Sequence, residues 1–476
     1  LVGYSGSPLW LALGAFPLIL ATATCPVVGA AAYLLATPLI VGLGRDSIVP
    51  LLRPNELLLL LLAAAVAIHL ALGAPDRRKP PFTLDRLDVA LLMLATSGSV
   101  LPLLVRFGRD LPITTDDALY AFVLWKYLLV YFVFKVAVQT ERQLRLCLGT
   151  ILLAAAVVAT IAVLQVLDLF GVAQFLWRHF DAPFTGIGEP ITTRGTSTIA
   201  SSFGVAGTMT ITLVIALVWL LHLGGPRRWL LTAAAALFLI GCVVAGQFSG
   251  IIGLVVALAV VGLVIGRLRQ IAALVLPIVV IAGVIFAPVI EHRLSDFASA
   301  GGMPPSWSGR LDNLERFVLP ELSSGWAWLT GVRPAARVPA PEPWRDWVYI
   351  ESGYVWLLWT GGVAMLGSFA FFVHAAGTIL LLRAREARHV VERVAAIAAM
   401  AALTMIATLM LFDPHLTMRG TADLFFPLLA MAVARPRPGA PAAPGARPAA
   451  ATPTHSGAGW TSSAHSSARG LRGKRG

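Results

Sequence analysis

EHRLSDFASAGGMPPSWSGRLDNLERFVLPELSSGWAWLTGVRPAARVPAPEPWRDWVYI, residues 291–350, is the only long interruption between the apolar stretches of an otherwise almost continuously hydrophobic chain. It carries both charge signs, from His292, Arg293 and Asp296, through Arg310, Asp312, Glu315, Arg316, Arg333 and Arg337, to Glu342, Arg345 and Asp346. Trp307, Trp326, Trp328, Trp344 and Trp347 are threaded between them. A polar segment of this length and aromatic content between hydrophobic spans is suited to work at a membrane surface, not merely to connect two helices.

The rest of the chain explains why the loop stands out. Of 476 residues, 58% are hydrophobic and 13% charged, and the mean hydropathy is +0.81. A water-soluble domain carries roughly twice that charged fraction. The fold class expected is therefore an all-α polytopic membrane protein, because lipid offers the backbone no hydrogen-bonding partners. The net charge of +12 lies largely in short loops and the C-terminal tail, so it argues for orientation and contact with anionic lipid, not for nucleic acid. Cys25, Cys147 and Cys242 each fall within an apolar run and are expected as free, buried thiols. The first residues lack a basic n-region, and the apolar stretch from Pro8 continues to Val41, so no cleavable signal peptide is expected.

With about 20 apolar residues as the unit of a span, helices are expected near 8–25, 26–43, 55–73, 87–105, 118–138, 146–166, 197–222, 229–245, 249–266, 270–289, 350–382, 394–412 and 420–434. Pro17, Pro26 and Pro38 break the stretch 8–43, so the total is 12 or 13 according to whether that stretch is one span or two. Basic residues in short loops give the orientation. Arg77, Arg78, Lys79, Arg86, Arg142, Arg145, Arg227, Arg228, Arg267, Arg269, Arg383, Arg385, Arg388 and Arg393 fall on one side. Arg106, Arg109, Arg178, Arg194 and Arg419 fall on the other. Fourteen against five assigns the first set to the cytoplasm and leaves the loop 291–349 outside. Residues 1–434 then form the membrane domain, and 435–476, rich in Pro, Ala, Gly, Ser and Arg, a disordered basic cytoplasmic tail.

Three places carry candidate chemistry. Arg194, in Thr192-Thr193-Arg194-Gly195-Thr196-Ser197-Thr198, lies where an external loop meets a helix. Its planar, permanently charged fork suits a phosphate or pyrophosphate at headgroup level, and a helix N-terminus directly after it would add unpaired N–H donors. The other reading is a snorkelling arginine that marks the interface. In the loop, residues 306–317 read as a short amphipathic helix, with Leu311, Leu314 and Phe317 at helical spacing. That helix would aim Arg310 at the same anion, with Arg316 in ion pairs on a solvated face. Glu351 stands where the chain re-enters the apolar region, a costly position for an unpaired carboxylate. It suits a general base on a sugar hydroxyl, or equally an acidic first helical turn that needs no catalysis. The helices are thus expected to hold the loop over a lipid-borne, anionic substrate. Arg178 and Glu189 are second-rank candidates, and Asp413, His415, Arg419 and Asp423 read as a polar turn. No Gly-x-x-x-x-Gly-Lys-Ser/Thr loop and no paired Cys or His spacing occurs, so neither a cofactor nor a metal site is expected, and any donor must arrive already activated.

The layout resembles the bacterial O-antigen ligase and O-antigen polymerase superfamily over roughly residues 45–434. The resemblance rests on Arg194-Gly-Thr-Ser-Thr-Ile-Ala-Ser-Ser-Phe-Gly, on Ser308-Gly-Arg310 in the loop, and on Glu351-Ser-Gly-Tyr-Val-Trp-Leu-Leu-Trp-Thr-Gly361-Gly. It implies a metal-independent glycosyltransferase of the inner membrane, with a large periplasmic loop. The donor would be a glycan on undecaprenyl pyrophosphate, transferred with inversion to a glycan or lipid acceptor hydroxyl, alongside other polysaccharide-assembly proteins. By position, Arg194 and Arg310 would hold the pyrophosphate and Glu351 would stand where many relatives carry a histidine or another polar residue. Polymerase is preferred slightly to ligase, since nothing identifies lipid A as acceptor. Where many relatives carry a Ser-Arg pair, this chain reads Gly246-Gln247-Phe248-Ser249-Gly250, which would move that charge onto Arg293 or Arg333. Two other readings stand beside it. A transporter or flippase would need charges deep in several helices, where Lys126 and Lys135 are the main exceptions; a non-catalytic assembly protein would need none of these residues.

Overall fold

The computed structural model describes residues 8–72, 84–181, 190–222, 228–285, 287, 305–342 and 345–434. Arg293, Glu189 and the tail 435–476 lie outside the described residues. Among the described residues nine helices are long and apolar enough to cross a membrane: Pro54–Leu72, Arg86–Gly108, Thr115–Ala137, Glu141–Val166, Ser202–His222, Phe248–Ile265, Leu268–Ile285, Gly353–Glu386 and Val390–Leu409. Four shorter apolar helices, Pro8–Thr24, Pro26–Ile40, Arg228–Val244 and Thr421–Val433, complete a set that matches the thirteen expected stretches one for one. The architecture is that of an all-α polytopic membrane protein. The stretch 8–43 resolves into two helices because Cys25 leaves helical geometry (φ −141°, ψ 87°) and Pro26 opens the next helix at a position that needs no N–H. This break also turns Cys25 outward. It is exposed, against expectation, while Cys147 and Cys242 are buried and all three are free.

Ser202–His222 is the buried centre, with nearly nine-tenths of its apolar window inside the protein. A helix apolar all round can only be satisfied in such a position. Its small residues permit close packing: a Cβ on Gly204 would stand 2.3 Å from the Arg419 carbonyl, and one on Gly207 2.1 Å from Thr421 Oγ1.

Contacts between loops sort the helix ends into the two sets that alternation predicts. At one end Lys135 Nζ lies 2.9 Å from Asp85 and 2.6 Å from Asp88, and His389 Nδ1 lies 3.2 Å from Glu141. Arg267 and Arg383 donate there to the Leu221 and Val433 carbonyls. At the other end Gly42 N–H donates to Thr198, Asp181 N–H to Gly42, Gly195 N–H to Val244, and Gly353 N–H to Met410. Asp85 and Asp88 form a capping box on the Arg86 helix, and Thr114 and Asp117 form one at Thr115.

The interrupting loop has structure of its own. The expected amphipathic helix is present as Pro305–Asn313, followed by a π-turn at Leu314–Val318 that brings Val318 fully inside while Leu311 stays exposed. Short helices Leu319–Ser323 and Ala327–Thr330 come next, then an antiparallel hairpin, Arg337–Glu342 with Arg345–Tyr349, pairing Val338 with Val348 and Pro339 with Trp347. The hairpin departs from the all-helical expectation. Its first strand alternates, with Val338 and Ala340 buried, and its prolines are tolerable in a two-stranded edge.

A kink docks this loop onto the bundle. Within Gly353–Glu386, Gly361 and Gly362 leave helical geometry, which frees the Trp359 carbonyl to accept from Val332 N–H at 2.7 Å. Trp359 Nε1 donates to Ala335 C=O at 3.0 Å. Gly362 has φ +61°, and a Cβ there would lie 2.2 Å from the Leu329 carbonyl. Gly362→Ala is therefore expected to cost about 1–3 kcal/mol in backbone strain alone, with the clash in addition. Thermal unfolding in detergent micelles measures the loss, and an unchanged midpoint would mean that the kink does not depend on glycine.

Candidate functional site

Arg310, on the loop helix Pro305–Asn313, reaches two carboxylates from distant parts of the chain. Its Nε stands 3.4 Å from Glu351 Oε2 and its Nη2 3.4 Å from Asp413 Oδ2, while Nη1 donates to the Phe412 carbonyl at 3.3 Å. The acids are brought together by the backbone. Met410 C=O accepts from Gly353 and Tyr354 N–H, and a Cβ on Gly353 would stand 2.4 Å from Met410 Sδ, so only glycine lets the two segments approach this closely. Ser352 is the N-cap of the following helix. Glu351 therefore lies outside the helix, in an ion pair, and not in its acidic first turn.

The three groups differ in their contact with water. Asp413 is buried, and burial pushes its carboxyl up to about 7; Arg310 opposes this and Glu351 adds to it. His415, two residues on, is fully buried against the edge of Phe203, and burial with the nearby Arg310 pushes its imidazole down to about 3. Neither of its ring nitrogens has a hydrogen-bond partner among the described residues.

These shifts carry opposite signs in stability. Asp413 has its folded value raised from 3.8, so its contribution is present below that value and lost as pH rises through about 7. His415 has its folded value lowered from 6.5, so its contribution is present above that value and lost as pH falls through about 3. Between the two unfolded values the slopes oppose each other. In micelles, the unfolding midpoint of Asp413→Asn is expected to rise with pH from 4 to 6.5, and that of His415→Gln to fall over the same window. Parallel profiles for the two variants would refute the assignment.

Arg194 is half-buried just before Gly195, whose N–H is held by the Val244 carbonyl. The helix expected directly after it does not begin there. A 3-10 turn, Ser197–Ile199, ends in a left-handed Ala200 (φ 56°), and the helix starts at Ser202. The amides that were to receive an anion are occupied, since Gln165 Oε1 accepts from Thr196 N–H at 2.9 Å and Ser197 N–H at 2.8 Å. Arg178 is exposed near the end of the short helix Val172–His179. Arg333 grips buried Asp117 through Nε at 2.8 Å and Nη2 at 2.9 Å, and so anchors the loop. Arg316 pairs with Asp312 and Glu342 on an exposed face.

A second charged cluster lies at the same end of the bundle. Lys126 Nζ is 3.8 Å from Glu56 Oε1 and 3.9 Å from Asp423 Oδ1, and Arg45 Nη2 is 3.9 Å from Glu56. Arg419 donates to the Asp181 carbonyl at 3.3 Å, and burial together with Arg53 pushes its guanidinium down to about 10. Glu56 and Asp423 stand in the first turns of their helices, so Lys126 lies near a helix end, not deep in the bundle. Lys135 likewise meets the helix-capping pair Asp85 and Asp88 at the opposite end. The sequence contained a signal for this cluster: four ionisable residues within Asp413–Asp423, between two apolar helices, are more than a turn requires. Among the described residues no group of three or more His, Cys, Asp or Glu is arranged to hold a metal ion. No protein-family model and no curated protein matches the chain.

Proposed function

We propose that this chain transfers glycan from an undecaprenyl-pyrophosphate-linked donor to an acceptor hydroxyl at the outer face of the bacterial inner membrane, as a polysaccharide polymerase in preference to an O-antigen-type ligase. The observation that carries this reading is the arrangement Glu351–Arg310–Asp413 at the end of the bundle where the loop docks. It supplies a carboxylate for a hydroxyl proton, a cation that holds it in place, and a second carboxyl with a raised affinity for protons. The cationic bias of the opposite loops supports an outward-facing site.

In the proposed step the acceptor oxygen attacks the anomeric carbon while its proton passes to Glu351. The bond from that carbon to the pyrophosphate oxygen breaks, the electron pair leaves with the phosphate, and configuration inverts. Pyrophosphate is a good leaving group, so positioning and stabilisation of its charge are the main demands on the protein.

The reading is tested in a deletion strain, with surface polysaccharide length and undecaprenyl-linked intermediates recorded together. Loss of long chains with accumulation of short lipid-linked repeats supports a polymerase, and accumulation of full-length lipid-linked glycan supports a ligase. Unchanged polysaccharide and intermediates would overturn both.

A further inference from the structure

We infer that the phosphoryl groups of the substrate are bound not by Arg310 but by the cluster of Arg45, Arg53, Lys126 and Arg419. For the identity of the substrate this rests on the reading above; as an anion site it stands on its own geometry.

The charge balance at Arg310 is wrong for an anion. Among the described residues the Arg310 guanidinium faces two carboxylates and a carbonyl, so a pyrophosphate there would meet Glu351 and, whenever it is ionised, Asp413 as like charges. The second cluster has the opposite balance. Arg45 and Lys126 converge on two buried or half-buried carboxylates, Glu56 and Asp423, and Arg53, whose backbone N–H donates to Glu56 at 3.1 Å, and Arg419, which interacts electrostatically with Arg53 and Asp423, add two more cations, so that four come from three separate segments. The other nearby acids are committed elsewhere or exposed: Asp46 Oδ1 accepts from Leu51 N–H at 2.6 Å, and Asp181 is exposed and meets Arg419 through its backbone carbonyl.

The cations are also under-used. At 3.8–3.9 Å the pairs of Arg45 and Lys126 are longer than hydrogen bonds, and neither side chain makes a hydrogen bond among the described residues, although Lys126 Nζ also lies over the Tyr127 ring at 4.4 Å. Among the described residues Arg53 Nη1 is buried with no hydrogen-bond partner; Arg310 Nε and Asp423 Oδ1 share that condition, so the excess of cations, and not the orphaned donor alone, distinguishes the cluster. Each such donor carries a desolvation cost that a multidentate anion would remove. Arg53 and Arg419 repel one another, and an anion between them would relieve that repulsion too. Guanidinium forks and an ammonium at the level of helix first turns match a phosphate or pyrophosphate at headgroup depth.

The test uses the full chain in micelles and in nanodiscs, with inorganic pyrophosphate as probe. Pyrophosphate should raise the unfolding midpoint of the wild type. Arg53→Gln and Arg45→Gln should each weaken binding about tenfold, with size-exclusion and circular dichroism profiles retained, whereas Arg310→Gln should leave affinity within about twofold. Loss of binding in Arg310→Gln with retention in Arg53→Gln would overturn the inference, as would a wild type blind to pyrophosphate. Nanodiscs containing phosphatidylglycerol identify the source of the phosphoryl group. Competition by that lipid assigns the cluster to bilayer headgroups in general, and competition only by undecaprenyl phosphate assigns it to the donor. A chain that binds pyrophosphate through Arg53 yet transfers no sugar would sink the proposed function and leave the site intact.

Discussion

Glu351→Gln should reduce product formation by about 100-fold or more, while the protein remains in the membrane with an unchanged unfolding midpoint. Glutamine preserves the volume, and its amide oxygen still faces Arg310 Nε, which lies 3.4 Å from the native carboxylate. What it removes is the capacity to take a proton from the acceptor hydroxyl. Pyrophosphate binding should be unaffected, which separates loss of chemistry from loss of substrate. Asp413→Asn is the informative comparison, because that carboxyl is held at about 7 and is partly protonated near neutral pH. If Asp413→Asn were inactive and Glu351→Gln nearly normal, the proton acceptor would be Asp413. Should both retain full activity, the carboxylate pair has no role in transfer and a non-catalytic assembly protein becomes the better account.

The architecture was largely legible because a membrane imposes a strong constraint: runs of apolar residues of nearly fixed length have to become helices, and Pro26 divides one run into two, whereas Pro17 and Pro38 stay inside the resulting helices. The missed features depend on contacts between distant segments. Nothing local announces that Gly361 and Gly362 will interrupt an apolar helix; the reason is the Leu329–Val332 backbone that packs into the gap. The hairpin Arg337–Tyr349 gave only a faint period-2 signal, masked by prolines. At Ala200 the left-handed turn is favoured by tertiary contacts, including Gln165 on the preceding amides, against the propensity of alanine for helix.

The site was legible one residue at a time but not as a set. Arg310 and Glu351 each stood out as ionisable groups beside apolar segments, and they meet in space. Asp413 and His415 looked like an ordinary turn, since only the fold reveals that the turn is buried. Lys126 looked like an isolated charge in a span because its partners, Glu56 and Asp423, open two other helices 70 and 297 positions away. Arg194 illustrates the converse. It stood out as an arginine just ahead of an expected helix N-terminus, yet Gln165 occupies the amides that made it attractive as an anion site.

Arg333→Ala should destabilise the protein by about 3–5 kcal/mol, the largest loss expected from any single substitution in the loop. Asp117 is fully buried and accepts from Arg333 at 2.8 and 2.9 Å, from Thr114 N–H at 3.0 Å and Oγ1 at 2.9 Å, and from Ala335 N–H at 3.3 Å. Without Arg333 that carboxylate would remain buried with its only cationic partner among the described residues gone. The same contact fixes residues 332–335 against Trp359, so its loss should also loosen the loop that carries Arg310 and lower product formation indirectly. Arg333→Lys should recover only part of the stability, because an ammonium cannot reproduce the two-pronged contact. The double variant Arg333→Leu, Asp117→Asn should recover more, since no uncompensated charge is then buried. This pattern distinguishes an anchor from an anion ligand. If Arg333→Ala kept its unfolding midpoint but lost pyrophosphate binding, Arg333 would belong to the substrate site, and the ion pair with Asp117 would be incidental to the docking of the loop.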